Sequence, residues 1–154
     1  MPVRVYIPVT LDELQESSPV LLDPRPAHAV TAALRAAWSE EDEEGWEYAA
    51  QASAADGSLV LLAGRPDAPR LRVLVAADVA DACVTAPATT TVPSAVDVVC
   101  GVGLDQIVSI HVDEPEAAED VAAAAAGDED ALERLEERDL LWYDVTEVAD
   151  IPRA

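Results

Sequence analysis

His28 and His111 are the only side chains of this 154-residue chain whose ordinary pKa lies near neutrality, so acid–base chemistry at pH 7 falls first to them. A Ser-His-acid or Cys-His site also needs a nucleophile within hydrogen-bond reach of the base. His111 stands in an alternating apolar run and reads as a sheet residue. His28 stands among prolines and reads as a solvated side chain in a connection. Cys83 and Cys100 are too far apart for a redox or zinc motif. They read as a loop thiol and a buried strand thiol, and with no stretch resembling a secretory leader they point to the cytoplasm.

The carboxylates offer oxygen ligands for hard cations. Asp128-Glu129-Asp130, however, lacks the glycine turn and the alternate spacing of a calcium loop, and Gly101-Val102-Gly103 has no lysine or third glycine for a phosphate cradle. No metal and no cofactor is expected. The acidic runs Glu40 to Glu44, Asp113 to Asp120 and Asp128 to Asp139 coincide with predicted helix starts, where carboxylates meet the positive end of the helix dipole.

The elements that would position these groups follow from periodicity. Val3, Val5, Ile7 and Val9 alternate with Arg4, Tyr6 and Pro8 as in a strand with one buried face. Thr10 and Glu13 form a capping box for a short helix to about Ser17, and the prolines of Ser18 to Pro26 predict a connection. A first helical turn from Thr31 precedes a longer helix, capped by Ser39 and ended by Gly64, that stays unbroken through Gly57. Arg70 to Val79, Ala95 to Val102, Ile107 to Val112 and Leu140 to Val148 read as strands. Helices are expected from Pro115 to Gly127 and from Asp128 onward, with Asp130, Arg134 and Arg138 spaced for surface pairing. Residues 81–94 read as a long flexible loop. The order fits one α+β domain over 1–154: a ferredoxin-like sandwich or a relative, with a mixed or antiparallel sheet and helices on one face.

If the valines and isoleucines face those helices, Arg4, Tyr6, Arg70, Arg72, Ser109, His111, Trp142 and Asp144 all turn to the opposite, open face. That face would gather scarce positive charge and two large rings, as binding patches do. Equally, Arg4 and Arg72 could pair with Asp144 and nearby acids on an exposed sheet.

Charge narrows the partners. Nine arginines and no lysine face thirty-one carboxylates, a formal −22. This field repels phosphate backbones and anionic lipid, which excludes nucleic acid and membrane surfaces as natural partners. No run reaches the ~20 apolar residues of a membrane span.

The runs Val3-Arg4-Val5-Tyr6-Ile7-Pro8-Val9-Thr10-Leu11 and Asp139-Leu140-Leu141-Trp142-Tyr143-Asp144-Val145-Thr146-Glu147, with Ala29-Val30-Thr31, Glu47-Tyr48-Ala49-Ala50 and Ile110-His111-Val112-Asp113 between them, resemble an uncharacterised family of small acidic actinobacterial proteins. The resemblance spans most of the chain. It implies a lineage and no activity, so no catalytic residue is transferred.

Three functions compete. The first is a non-catalytic cytoplasmic module whose open sheet face binds a protein partner or a second copy, burying Trp142 in a homodimer. The second is an enzyme for a small anionic substrate, with His111 as acid or base and Arg4 or Arg72 as clamp. The third is an acidic decoy or immunity-type protein that neutralises a basic partner through Glu40 to Glu44 and the Asp128 helix.

Overall fold

A computed structural model describes residues 1–16, 19–89 and 92–153. Its centre is β1 (Pro2–Val9), paired antiparallel along its whole length with β4 (Val73–Ala80), from Pro2↔Ala80 to Val9↔Val73. Between them in sequence come β2 (Leu21–Leu22) and β3 (Arg25–His28) and the helices α1 (Leu11–Gln15), α2 (Ala32–Ala37) and α3 (Glu43–Ala63). After β4 follow β5 (Val84–Thr85), β6 (Ala95–Val98), β7 (Val102–Gly103) and β8 (Ile107–Val112). The chain ends with α4 (Ala118–Ala125), α5 (Glu129–Glu136), β9 (Leu141–Tyr143) and a 3-10 turn at Val145–Asp150. Seven strands make one antiparallel sheet in the order β5-β6-β3-β1-β4-β8-β9, and β2 pairs with β7 in a second, two-stranded sheet. The architecture is α+β with an antiparallel sheet.

The sheet is buried on both faces. Val5, Ile7, Val9, Val73, Val75, Ala77, Val96, Val98, Ile110 and Val112 form one cluster, closed by Leu11 and Leu14 of α1, Leu22, Val102 and the C-terminal Ile151. On the other face Tyr6, Leu74 and Ala76 pack against Leu34 of α2 and Ala50, Ala54 and Ala55 of α3. α2 and the long α3 therefore lie on the arginine-and-ring face, not on the valine face. The cause is local: Val73-Leu74-Val75-Ala76-Ala77 is apolar at every position, the mark of a strand covered on both sides rather than one.

Small residues set how closely α3 approaches. A Cβ at Gly57 would stand 2.8 Å from Pro8 Cγ, and this close packing explains why the helix runs unbroken through glycine. At the next residue, Ser58 Oγ donates to Val9 O at 2.8 Å and accepts from Val73 N–H at 3.0 Å, stapling α3 across the β1–β4 pair. The helix begins one turn later than the sequence suggests, because Asp42 rather than Ser39 accepts from Gly45 N–H at 2.9 Å.

Other expectations change as well. The proline-rich connection contains β2 and β3, so His28 is half-buried, with Nδ1 2.8 Å from Ser94 Oγ, rather than solvated. The last strand shrinks to three residues because Asp144 caps the following turn through Thr146 N–H at 3.0 Å. Arg134 pairs with Asp120 and Arg138 with Glu114, each tying α5 to the segment before it instead of running along its own helix. Cys83 and Cys100 are not free thiols: they form a disulfide that closes the end of the β5–β6 pair, and the thiol argument for a reducing compartment falls with it. Of the stretch 81–94, Thr90 and Thr91 lie outside the described residues. The remainder contains a 3-10 turn at Asp81–Cys83 and the strand β5. Among the described residues no helix is long and apolar enough to cross a membrane.

Candidate functional site

Register places most of the expected patch on one face, as its parity requires. Arg4 stands opposite Asp78, Tyr6 opposite Ala76, Ala76 opposite Ser109, and Leu74, His111 and Trp142 form a row across β4, β8 and β9. That face is not open. α3 lies over its centre, leaving Tyr6, Arg72 and Ser109 at 3%, 5% and 5% exposure while Trp142, on the edge strand, stays 60% exposed. Burial raises the Tyr6 phenol above its ordinary pKa. Arg4 forms an exposed ion pair with Asp78 at 2.6 Å. Arg70 lies outside the sheet and folds its guanidinium onto the end of α3, donating to Leu62 O and Ala68 O at 3.1 Å and to Arg65 O. Asp144 serves as a cap, and Thr146 holds its carboxyl below the usual range through hydrogen bonds. The eight residues are thus divided among core, cap and rim.

At the flank of α3 the same face opens into a cleft of about 460 Å³, with α3 as one wall, α5 and its exit as the other, and Arg72, just before β4, and His111 of β8 beneath. Its floor is made by Arg72 and Leu135, both buried, with half-buried His111 and Gln51. Exposed Tyr48, Asp56, Glu136 and Asp139 make the rim. Burial lowers the His111 pKa, so the ring is neutral at pH 7, and Nε2 lies 3.0 Å from Ser109 Oγ. The cleft walls raise the Asp56 carboxyl, Arg72 pulls it down and Glu136 pushes it up again. Among these residues the sequence pointed to Arg72 and His111 and missed Gln51 and Asp56. The available signal was the outward row Tyr48, Ala52 and Asp56 at four-residue steps on α3.

Every arginine has at least one internal partner. Eight of the nine arginines form ion pairs, with Asp78, Glu13, Glu43, Asp12, Asp113, Asp120, Glu114 and Glu16, and Arg70 is spent on carbonyls. Eight of thirty-one carboxylates serve those pairs, leaving twenty-three without one among the described residues. No group of three or more His, Cys, Asp or Glu side chains is placed to hold a metal ion among the described residues.

No curated protein and no solved structure matches the chain. The model of a family of unknown function (DUF6912) matches residues 3–151, and with that span covering nearly the whole sequence the chain belongs to this family.

Proposed function

We propose that this protein is a non-catalytic binding module for a basic protein, which docks on the outer surface of α2 and α3. The observation that carries this reading is the commitment of every arginine to an internal partner, beside twenty-three carboxylates that have no ion pair among the described residues. A surface of this kind draws in a cationic partner and speeds its encounter. The same pairing weighs against a purely anionic substrate, since Asp78 and Asp113 already neutralise Arg4 and Arg72, the clamps that reaction would need.

Within the acidic field, Glu40 to Glu44 adjoin the two exposed rings Trp38 and Tyr48, at 52% and 61% exposure. Trp46, which donates Nε1–H to Trp38 O at 3.0 Å and carries Arg35 4.5 Å above its ring, holds that corner together. Aromatic anchors ringed by charge are the usual composition of a protein interface.

Titration with an arginine-rich peptide tests the reading. Replacing Glu40, Glu41 and Glu44 by Gln weakens binding roughly tenfold, and adding Trp38→Ala weakens it further. The equal-charge control E116Q/E119Q/E133Q changes it less than about twofold. Equal losses in both sets would mean unspecific attraction and would remove the proposal.

A second reading keeps self-association, favoured by Leu141 and Trp142 exposed on the edge strand β9. Salt separates the two: two chains of −22 associate better when screened, whereas a basic partner is released.

A further inference from the structure

The cleft between α3, α5 and β8 is polarised from floor to rim. At the floor Arg72 gives Nε and Nη2 to Asp113, both at 2.8 Å, while Nη1 has no hydrogen-bond partner among the described residues. Beside it stands His111, whose Nε2 is engaged by Ser109 and whose Nδ1 is not. At the rim Asp56, Glu136 and Asp139 carry no ion pair and no side-chain hydrogen bond among the described residues, and they come from two walls. Between the two poles lie the apolar surfaces of Ala52, Ala55, Leu135 and Leu140.

We propose that this cleft binds a small zwitterion of the amino-acid class, with its carboxylate on Arg72 Nη1 at the floor and its ammonium or guanidinium among Asp56, Glu136 and Asp139 at the rim.

Each pole answers a need visible in the fold. Arg72 Nη1 is not among the buried side-chain atoms that lack a partner, so it keeps an accessible N–H on the cleft side that a ligand oxygen can accept from. With Asp113 and Glu114 counted beside Arg72 and Arg138, the cleft has five carboxylates against two guanidiniums, a deficit of positive charge that falls at the rim. Burial against the wall raises the Asp56 carboxyl, with Arg72 opposing and Glu136 adding to the shift, so Asp56 feels charges of both poles. A purely cationic ligand would have to set its charge beside Arg72 to go deep. A purely anionic one would have to pass three carboxylates. The apolar belt suits the methylene stem of a ligand charged at both ends. The cleft's 460 Å³ lies within the range of small-molecule sites. This site is independent of the α2–α3 docking surface apart from the shared Tyr48.

The test is calorimetric titration of the whole chain with β-alanine, 4-aminobutyrate, lysine and arginine, against agmatine as a cation without the acid and glutarate as an acid without the cation. At least one amino acid binds with a Kd of about 1 mM or tighter, and agmatine and glutarate each bind more than roughly tenfold more weakly. The rim variant E136Q/D139N lowers that affinity about tenfold. Ala52→Trp, a change at an exposed position on the cleft wall, abolishes binding while circular dichroism stays native. Agmatine or glutarate binding as tightly as the amino acids, binding that survives Ala52→Trp, or no binding by any of the four amino acids would overturn the assignment. Arginine-rich peptide binding is measured on the unaltered chain alongside: if the peptide binds where all four amino acids fail, this site is refuted and the docking surface is not.

Discussion

Arg72 and Asp113 close the β4–β8 ladder with both side chain and main chain. Asp113 Oδ2 accepts from Arg72 Nε and from the Arg72 backbone N–H, each at 2.8 Å, and Asp113 N–H donates to Arg72 O at 3.1 Å. The side chains are 6% and 0% exposed. A pair so placed stabilises little relative to an apolar replacement, but it is costly to break from one side. Asp113→Ala is expected to lose about 3–5 kcal/mol in urea unfolding, because a guanidinium and a backbone N–H are stranded together. The double variant R72M/D113L recovers much of that loss. Additive losses in the two single variants and the double would contradict the coupling.

Gly57 and Gly45 lie on the same helix and predict opposite signs. A methyl group at Gly57 would meet the Pro8 ring at 2.8 and 3.1 Å, and a proline ring backed by β1 cannot swing aside. Gly57→Ala therefore loses about 1–3 kcal/mol in spite of alanine's better helix propensity. At Gly45 the new methyl meets only the side chain of Glu41, which is exposed and free to turn outward. Gly45→Ala gains up to about 1 kcal/mol. Thermal melts of the two variants read the difference directly, and a stabilised Gly57→Ala would show that α3 does not rest on Pro8.

What was legible in the sequence was local. The alternation in β1 and β8, the capping box at Thr10 and Glu13, and the small-residue stripe around Gly57 each belong to one element, and each appears in the structure. Parity also placed Tyr6, His111 and Trp142 on one side of the sheet. Which side the helices cover is a property of the packed whole, and the apolar filling of both faces by Val73 to Ala77 was the only trace of it. β3 was hidden by Pro24 before it and Pro26 within it, although the strand's pairing to β1 is confined to Tyr6↔His28, where few ladder donors are needed. The disulfide depends on β5 meeting β6, a contact that spacing along the chain does not reveal. The row Tyr48, Ala52 and Asp56 marked one wall of the cleft, but the cleft itself was not legible because its lining comes from three distant segments.

Closing the loop from Cys83 to Cys100 restricts the unfolded chain. For a separation of 17 residues the chain-entropy contribution is about 3 kcal/mol. Cys83→Ser with Cys100→Ser, or unfolding in the presence of reductant, is expected to lose about that amount. Mass spectrometry after alkylation of the native protein finds no reactive thiol. Alkylation of both cysteines without reductant would show that the bond does not form.

Both histidines link stability to pH with the same sign. Burial lowers the pKa of His28 and of His111, each of which also touches a serine hydroxyl, at 2.8 and 3.0 Å. The folded chain therefore binds fewer protons than the unfolded chain below the unfolded histidine pKa of about 6.5. The stability these rings contribute is complete above that value and is lost as the pH falls through it toward the folded pKa values. Asp56 acts oppositely: its raised pKa means that the folded state gains as that carboxyl protonates, in a more acidic window. Relief of repulsion among the many carboxylates has the same direction as Asp56, so the wild-type profile alone mixes the terms. Comparison with H28Q/H111Q cancels the shared part. Between about pH 7 and pH 5.5 the double variant loses less stability than the wild type in urea titrations. Identical slopes in that interval would mean that neither ring is held neutral by the fold.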